Sequence, residues 1–80
     1  MLATQDTQAS KREEINRPEW QKRVIRERVD LNAKVNDLGS FLRDPKKTGE
    51  LNQVDSILLM VQYNQMVSYL ATLDERIERF

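Results

Sequence analysis

The segment "RDPKKTGE", residues 43–50, decides how this chain folds. It places a proline directly after an aspartate that favours a helix cap, then a glycine, and no apolar residue occurs before Leu51. Proline and glycine end helices and favour turns, and the chain has only two of each. The segment therefore predicts a loop over residues 44–51, with one long helix on either side.

The residues before this loop predict a first helix over about residues 18–43. Pro18 lacks an amide hydrogen and has its φ fixed near the helical value, so it suits the first turn of a helix. The apolar residues after Trp20 recur at steps of three, four and seven, which places them on one stripe of the helix. This stripe consists of Val24, Leu31, Val35, Leu38 and Leu42.

The residues after the loop predict a second helix over about residues 52–80. Asn52 is suited to cap its first turn, and Asp55 would lie near the positive end of the helix dipole. Five consecutive residues, Ile57 to Val61, are apolar and so point around more than a full helical turn. One facing helix cannot cover them all, which predicts that other chains cover the remainder.

A short loop makes the two helices antiparallel neighbours. The predicted fold is therefore all-α: an antiparallel two-helix hairpin domain over residues 18–80, preceded by a polar N-terminal arm, residues 1–17, with a short or frayed helical segment. A chain of 80 residues buries little apolar surface, and without Cys or His it cannot add disulfides or the usual zinc sites. We therefore predict that the chain gains the missing buried surface by assembling as a homo-oligomer. A dimer, a trimer or a hexamer would be a closed form of such an assembly.

Composition excludes several classes of function. Thirteen basic and thirteen acidic side chains balance, which argues against a protein that coats DNA or an anionic membrane. The N-terminus lacks an apolar signal core, and no apolar run approaches the roughly 20 residues that span a bilayer. With no His, no Cys and no glycine-rich phosphate loop, the chain also lacks a catalytic constellation. These features predict a cytoplasmic protein that is not an enzyme and needs no metal or cofactor.

Binding residues are predicted near the start of the first helix and on the border of its apolar stripe. Trp20 is the only tryptophan and lies beside Arg23, and a flat aromatic next to a guanidinium suits base stacking and phosphate neutralisation. The alternative is that Trp20 packs on Val24 and closes the end of the hairpin. Lys34 borders the stripe, and Arg76 returns to the Trp20 end in an antiparallel hairpin. Each of these cations is alternatively a surface residue, Arg76 in an ion pair with Glu19 or Glu27.

Two spaced patterns carry a resemblance to a known family. The first is W-x-x-R-V-x-x-E-x-x-x-L-x-x-K-x-x-x-L-x-x-F, from Trp20 to Phe41, and the second is L-x-x-x-D-x-x-L-L-x-x-Q-x-x-x-M-x-x-Y-x-x-x-L-x-x-R-I, from Leu51 to Ile77. Over residues 18–80 the chain resembles the phage anti-CBASS cyclic-oligonucleotide sponge family. The resemblance implies helical hairpins that assemble as hexamers in the cytoplasm of an infected bacterium. It also implies binding of cyclic dinucleotides, and in some members of cyclic trinucleotides at separate pockets, without cleavage, which blocks bacterial anti-phage signalling.

The resemblance also assigns roles to residues. It places Trp20 in or beside the slot of a base-stacking aromatic, and it matches Lys34 and Arg76 to cations that grip the phosphodiesters. Asn36, two residues after the lysine, is implied to contact the ligand. With Arg23 these are the predicted ligand-binding residues. Asp55 departs from the family pattern, in which glutamate is usual at this position.

Two further functions remain as alternatives to a nucleotide sponge. The first is a structural or interaction protein that binds a protein partner through the surplus apolar surface of the second helix. The second is an enzyme that degrades nucleotides, which the missing catalytic groups disfavour. Recovery of an intact ligand after denaturation would separate a sponge from such an enzyme.

Overall fold

The computed structural model describes residues 16–80, which form three helices. These are α1 (Glu19–Leu42), α2 (Pro45–Thr48) and α3 (Gln53–Glu78), and no strand occurs in this part of the chain. Helices α1 and α3 pack side by side and run antiparallel, because Trp20 at the start of α1 contacts Phe80 beyond the end of α3. The predicted all-α antiparallel hairpin is confirmed. Most of the predicted N-terminal arm, residues 1–15, lies outside the described residues.

Proline residues set both ends of α1. Pro18 precedes the helix, and its carbonyl accepts hydrogen bonds from the amides of Gln21 at 3.0 Å and Lys22 at 3.2 Å. At the other end, Pro45 disfavours helical backbone at the residue before it. That residue, Asp44, is extended, with φ −97° and ψ 105°. The helix therefore ends before Asp44.

The segment predicted as a loop contains a one-turn helix, α2, which the sequence pattern did not predict. The Asp44 side chain accepts a hydrogen bond from the Lys46 amide at 3.0 Å, and Pro45 occupies the first turn. Both features favour a helix start. Helix α3 begins with the predicted cap, because Asn52 Oδ1 accepts a hydrogen bond from the Asp55 amide at 2.8 Å.

The hydrophobic core is small and lies between α1 and α3. Its buried apolar side chains are Val24, Leu31, Val35 and Leu73, and of these Leu73 is fully buried, with 0% of its surface exposed. Partly buried side chains of α3 and the C-terminus pack around them, namely Tyr63, Met66, Leu70, Ile77 and Phe80. The first half of α3 therefore contributes no fully buried side chain to this core.

Gly39 lets the two helices approach closely near the loop. It is buried in α1, and a Cβ atom at this position would lie 3.3 Å from Cε2 of Tyr63 and 3.3 Å from Nη1 of Arg43. These distances are tighter than ordinary van der Waals contact. Because Gly39 has no side chain, the Tyr63 ring has room to pack against the α1 backbone.

An apolar surface on the first half of α3 faces away from α1. Val54, Ile57, Leu58 and Val61, which we call the open face, are between 45% and 65% exposed. They recur at the spacing of one helix face. As the sequence predicted, a single facing helix leaves them uncovered. None of the described helices is both long and apolar enough to cross a membrane.

Candidate functional site

A cleft of about 370 Å³ lies on one side of the hairpin, between α1 and Tyr69 of α3. The α1 residues that line it occupy positions i, i+3, i+4, i+7, i+8 and i+11 and therefore share one face of the helix. We call this the charged cleft, and it is lined by Arg23, Arg26, Glu27, Asp30, Leu31, Lys34 and Tyr69. A single helix face thus supplies all the charged groups, and α3 supplies one aromatic wall.

The cleft holds two cations, Arg23 and Lys34, that form no ion pair with any residue the structure describes. Arg23 and Lys34 are exposed and lie eleven residues apart, close to three helical turns, so they project from the same face of α1. Among residues 16–80, neither forms an ion pair. Arg26, in contrast, lies 3.8 Å from Glu19 through Nη2 and donates from Nε to the Lys22 carbonyl at 3.4 Å. Both unpaired cations of the cleft are thus among the three that the sequence singled out.

A hydrogen bond ties the cleft to α3. The Tyr69 hydroxyl donates to Oε1 of Glu27, and Tyr69 stays 44% exposed. Both residues belong to the spaced patterns of the sequence, which did not predict them as site residues. Only the antiparallel register of the two helices, which places Tyr69 opposite Glu27, reveals their contact.

Trp20 lies outside the charged cleft but on the same side of the hairpin. Its ring packs edge to face on Phe80, with centroids 5.1 Å apart and planes at 78°. The Arg17 guanidinium lies 5.9 Å from the centre of the Phe80 ring. Trp20 is 48% exposed, and it precedes Arg23 by about one turn of α1. The indole thus closes the end of the hairpin and keeps part of its surface free.

The other two predicted site residues, Arg76 and Asn36, lie on opposite sides of the hairpin. Arg76 is exposed and follows Tyr69 by seven residues, so it lies on the same face of α3, toward the Trp20 end. Among the described residues it has no ion pair with Glu19 or Glu27. Asn36 is exposed but follows Lys34 by two residues, a rotation of about 200° around the helix. The hairpin therefore brings Asn36 to the opposite side from the charged cleft.

That opposite side carries an ion pair that the sequence did not indicate. Arg28 Nε of α1 donates to Oδ1 of Asp74 on α3 at 2.7 Å. The hydrogen bond to Asp74, and then its negative charge, raise the pKa of Arg28 above its usual value. Arg28 therefore joins the two helices, and its charge is paired with that of Asp74.

Two other clefts suit a phosphate ligand less well. One is lined by Arg17, Glu19, Lys22, Ile25 and Arg26, and its Glu19 lies 3.5 Å from Lys22 and 3.8 Å from Arg26, so two of its three cations are paired. A cleft of about 480 Å³ at the loop end of the hairpin is lined only by uncharged residues, namely Leu42, Thr48, Leu51, Ser56, Met60, Tyr63 and Asn64. Across residues 16–80, no group of three or more acidic side chains converges to hold a metal ion. The charged cleft is thus the candidate site, because it joins unpaired cations to an aromatic wall.

Comparison with known proteins identifies a family for this chain. A family model described as Sequestin matches residues 18–79. This range begins at Pro18 and takes in all three helices. No curated protein and no solved structure matches the chain.

Proposed function

Because this chain belongs to the Sequestin family, the nucleotide-sponge family that its sequence resembles, we propose that it binds and sequesters cyclic oligonucleotide second messengers without cleaving them. Cyclic dinucleotides are the first candidates, and cyclic trinucleotides are the second. A phage protein that holds these signals in the cytoplasm of an infected bacterium would block anti-phage signalling. The observation that supports this proposal most is the pair of unpaired cations, Arg23 and Lys34, in one cleft.

Charge is the main reason to assign these two cations to the ligand. A cyclic dinucleotide carries one negative charge on each of its two phosphodiesters. Each charge-assisted hydrogen bond to such a group contributes about 1.5 to 3 kcal/mol. Arg23 and Lys34 have no competing carboxylate within ion-pair distance in the described part of the chain. Their charges are therefore available for the two phosphates.

Aromatic groups on the same side of the hairpin would hold the bases. Trp20 keeps about half of its surface exposed, and stacking on such a ring contributes about 1 to 3 kcal/mol per base. Arg76 lies on the same side, toward this end of the hairpin, and would add a further cation. Asn36 lies across the helix from Lys34, so in our proposal it would contact only a ligand held between neighbouring copies.

Assembly of several hairpins would complete the site. The charged cleft has its two walls from α1 and from Tyr69 of α3, and a neighbouring copy would cover its open side. The open face of α3 provides apolar surface that a second copy would bury. In a symmetric assembly, each copy offers the same groups to a nearly two-fold ligand, which doubles every contact. We therefore propose a homo-oligomer, with a hexamer as the form that the family resemblance implies.

Binding predicts thermal stabilisation without turnover. At a ligand concentration 100 times the Kd, linkage adds about 2.7 kcal/mol to the stability of the folded state. Thermal melts of the protein with a panel of cyclic di- and trinucleotides should therefore show a rise in Tm for at least one ligand. Mass spectrometry of that ligand after denaturation of the complex should recover it intact. Absence of a shift across the panel would contradict the proposal, and a cleaved product would indicate an enzyme.

The proposed assembly predicts a large effect of charge on the open face. Leu58 is 60% exposed in one hairpin, so Leu58→Glu should leave the single chain folded. A carboxylate buried without a partner in an interface is strongly unfavourable. Sedimentation velocity should show an oligomer for the wild type and dissociation for Leu58→Glu. Val29→Glu, at a 58% exposed position of α1, is the matched control and should keep the oligomer. A monomeric wild type would contradict this prediction.

The open face also favours a second candidate function, an interaction protein that docks on a protein partner. Exposed apolar side chains at helical spacing suit a partner helix. This candidate predicts no stabilisation by any cyclic nucleotide and formation of a complex that Leu58→Glu disrupts. The thermal melts therefore separate it from the nucleotide sponge.

A further inference from the structure

We propose that Phe80 is a positioning residue for ligand binding, because it holds the indole of Trp20 in an orientation that leaves one indole face open to a base. This inference rests on the proposed function, in which Trp20 stacks on a base of the ligand. It assigns the orientation of Trp20 to a residue that lies beyond the end of α3 and outside the charged cleft.

Trp20 lies at a point where its own helix supports it poorly. It is the second residue of α1, which begins at Glu19. Long side chains on a helix lean toward its N-terminus and rest on the turn that precedes their own Cα. No full turn of α1 precedes Trp20. An exposed side chain without such support changes rotamer within picoseconds to nanoseconds, so a fixed orientation of the indole needs a contact from another part of the chain.

Phe80 provides this contact and leaves the indole accessible. The two rings meet edge to face, with centroids 5.1 Å apart and planes at 78°, which is a preferred geometry for a pair of aromatic side chains. An edge-to-face contact occupies at most one face of the indole. The other face stays open, in agreement with the 48% exposure of Trp20. The contact with Phe80 therefore restrains Trp20 without covering it.

Phe80 is itself held by three contacts. Its half-buried ring packs against the hydrophobic core, and its amide donates to the Ile77 carbonyl at 3.1 Å. The Arg17 guanidinium lies over the ring, 5.9 Å from its centre, where a cation is attracted to the ring face. Nη1 of Arg17 also donates to Oε1 of Gln21 on α1 at 3.4 Å. Phe80 is thus the fixed member of the aromatic pair, and Trp20 is the exposed member.

A restrained indole binds a base more tightly than a mobile one. A side chain that becomes ordered only in the complex loses rotamer freedom on binding, and this loss lowers the affinity. Trp20 precedes Arg23 by about one turn of α1, so a base on its open face would lie beside a cation that we assign to phosphate. We expect loss of the Phe80 ring to weaken binding by about 2- to 10-fold.

Fluorescence of the ligand-free full chain tests the positioning directly, since Trp20 is the only tryptophan. Phe80→Leu removes the ring and keeps an apolar side chain on the core, whereas Phe80→Tyr keeps the ring. Time-resolved anisotropy should show an indole that turns with the whole protein in the wild type and in Phe80→Tyr. In Phe80→Leu we expect an additional fast component, on the picosecond-to-nanosecond timescale of exposed side chains.

Calorimetry measures the consequence for binding. The ligands are the symmetric cyclic dinucleotides with two adenines or two guanines and the cyclic trinucleotide with three adenines. Phe80→Leu should bind about 2- to 10-fold more weakly than the wild type, and Phe80→Tyr should restore wild-type affinity.

The matched control is Leu70→Val, which alters a side chain that packs around the same core. Leu70 lies about 15 Å before Phe80 along the helix axis, so this variant should lower stability without changing the anisotropy or the affinity. Circular dichroism checks that each variant is folded. Phe80→Ile, which also lacks the ring, replaces Phe80→Leu if that variant fails the check.

The outcomes separate this inference from the proposed function. An equally immobile Trp20 in Phe80→Leu overturns the positioning role, and a mobile Trp20 with unchanged affinity overturns its importance for binding. Equal losses of affinity in Phe80→Leu and Leu70→Val would assign the effect to stability and would also overturn the inference. All three results leave the nucleotide sponge in place, because the wild type still binds. Absence of wild-type binding to all three ligands overturns both proposals.

Discussion

The double substitution Arg23→Ala/Lys34→Ala should reduce the affinity for cyclic dinucleotides by about a hundred-fold to ten-thousand-fold. Each side chain is expected to contribute a charge-assisted contact worth about 1.5 to 3 kcal/mol, and each 1.4 kcal/mol corresponds to about ten-fold in Kd. Both side chains are exposed and have no ion pair in the described part of the chain. The fold should therefore remain intact, and isothermal titration calorimetry measures the loss directly.

The matched control removes two cations from the other end of the hairpin. Lys46 and Lys47 lie in α2, beside the loop, and do not line the charged cleft. Lys46→Ala/Lys47→Ala changes the net charge by the same amount, so it reports any long-range electrostatic effect. We expect a change in affinity of less than about three-fold at physiological ionic strength, where such effects are screened. Equal losses in the two double variants would show that net charge, and not the cleft, governs binding.

Leu73→Ala should destabilise the protein by about 2 to 5 kcal/mol, the range for truncation of a buried Leu. Leu73 is the one side chain of α3 with no exposed surface, and it completes a core whose other buried side chains belong to α1. The cavity left by the missing methyl groups would therefore lie at the centre of the helix pair. Urea denaturation at a fixed protein concentration measures the change, since assembly makes stability depend on concentration.

Val29→Ala is the control for this core substitution. Val29 is 58% exposed on α1, and substitutions at such surface positions change stability by about 0.5 kcal/mol or less. A similar loss in both variants would contradict the central role of Leu73. The absence of a loss in Leu73→Ala would mean that assembly, and not the core of one hairpin, stabilises the chain.

The features of the fold that could be predicted from the sequence depend on neighbouring residues. Pro18 and Pro45 act on the backbone next to them, and Asn52 caps the helix that directly follows it. The uncovered apolar residues of α3 could also be predicted, because a run of five apolar residues on a helix cannot face one partner. The one-turn helix α2 was missed since a segment with Pro and Gly equally favours a loop.

The parts of the site that could not be predicted depend on the register between the helices. Arg23 and Lys34 share a cleft because both lie on α1, where helical spacing alone fixes their relation. The contact of Tyr69 with Glu27, and the pair of Arg28 with Asp74, require the rotation of α3 about its own axis. Core packing sets that rotation, and the sequence offered Arg76 as an equally reasonable partner for Glu27. The placement of Asn36 was not predicted either. It is two residues from Lys34 in sequence, but a two-residue step on a helix puts it on another face.

The uneven burial along α3 has a consequence for folding. Its only fully buried side chain is Leu73, near the C-terminus, whereas the first two turns present the open face to water. Backbone segments with few buried contacts open by local unfolding at low free-energy cost. In a single hairpin the first turns of α3 should therefore exchange their amide hydrogens first. A neighbouring copy that covers the open face would protect these same amides, so the last step of folding and the first step of assembly become one cooperative transition.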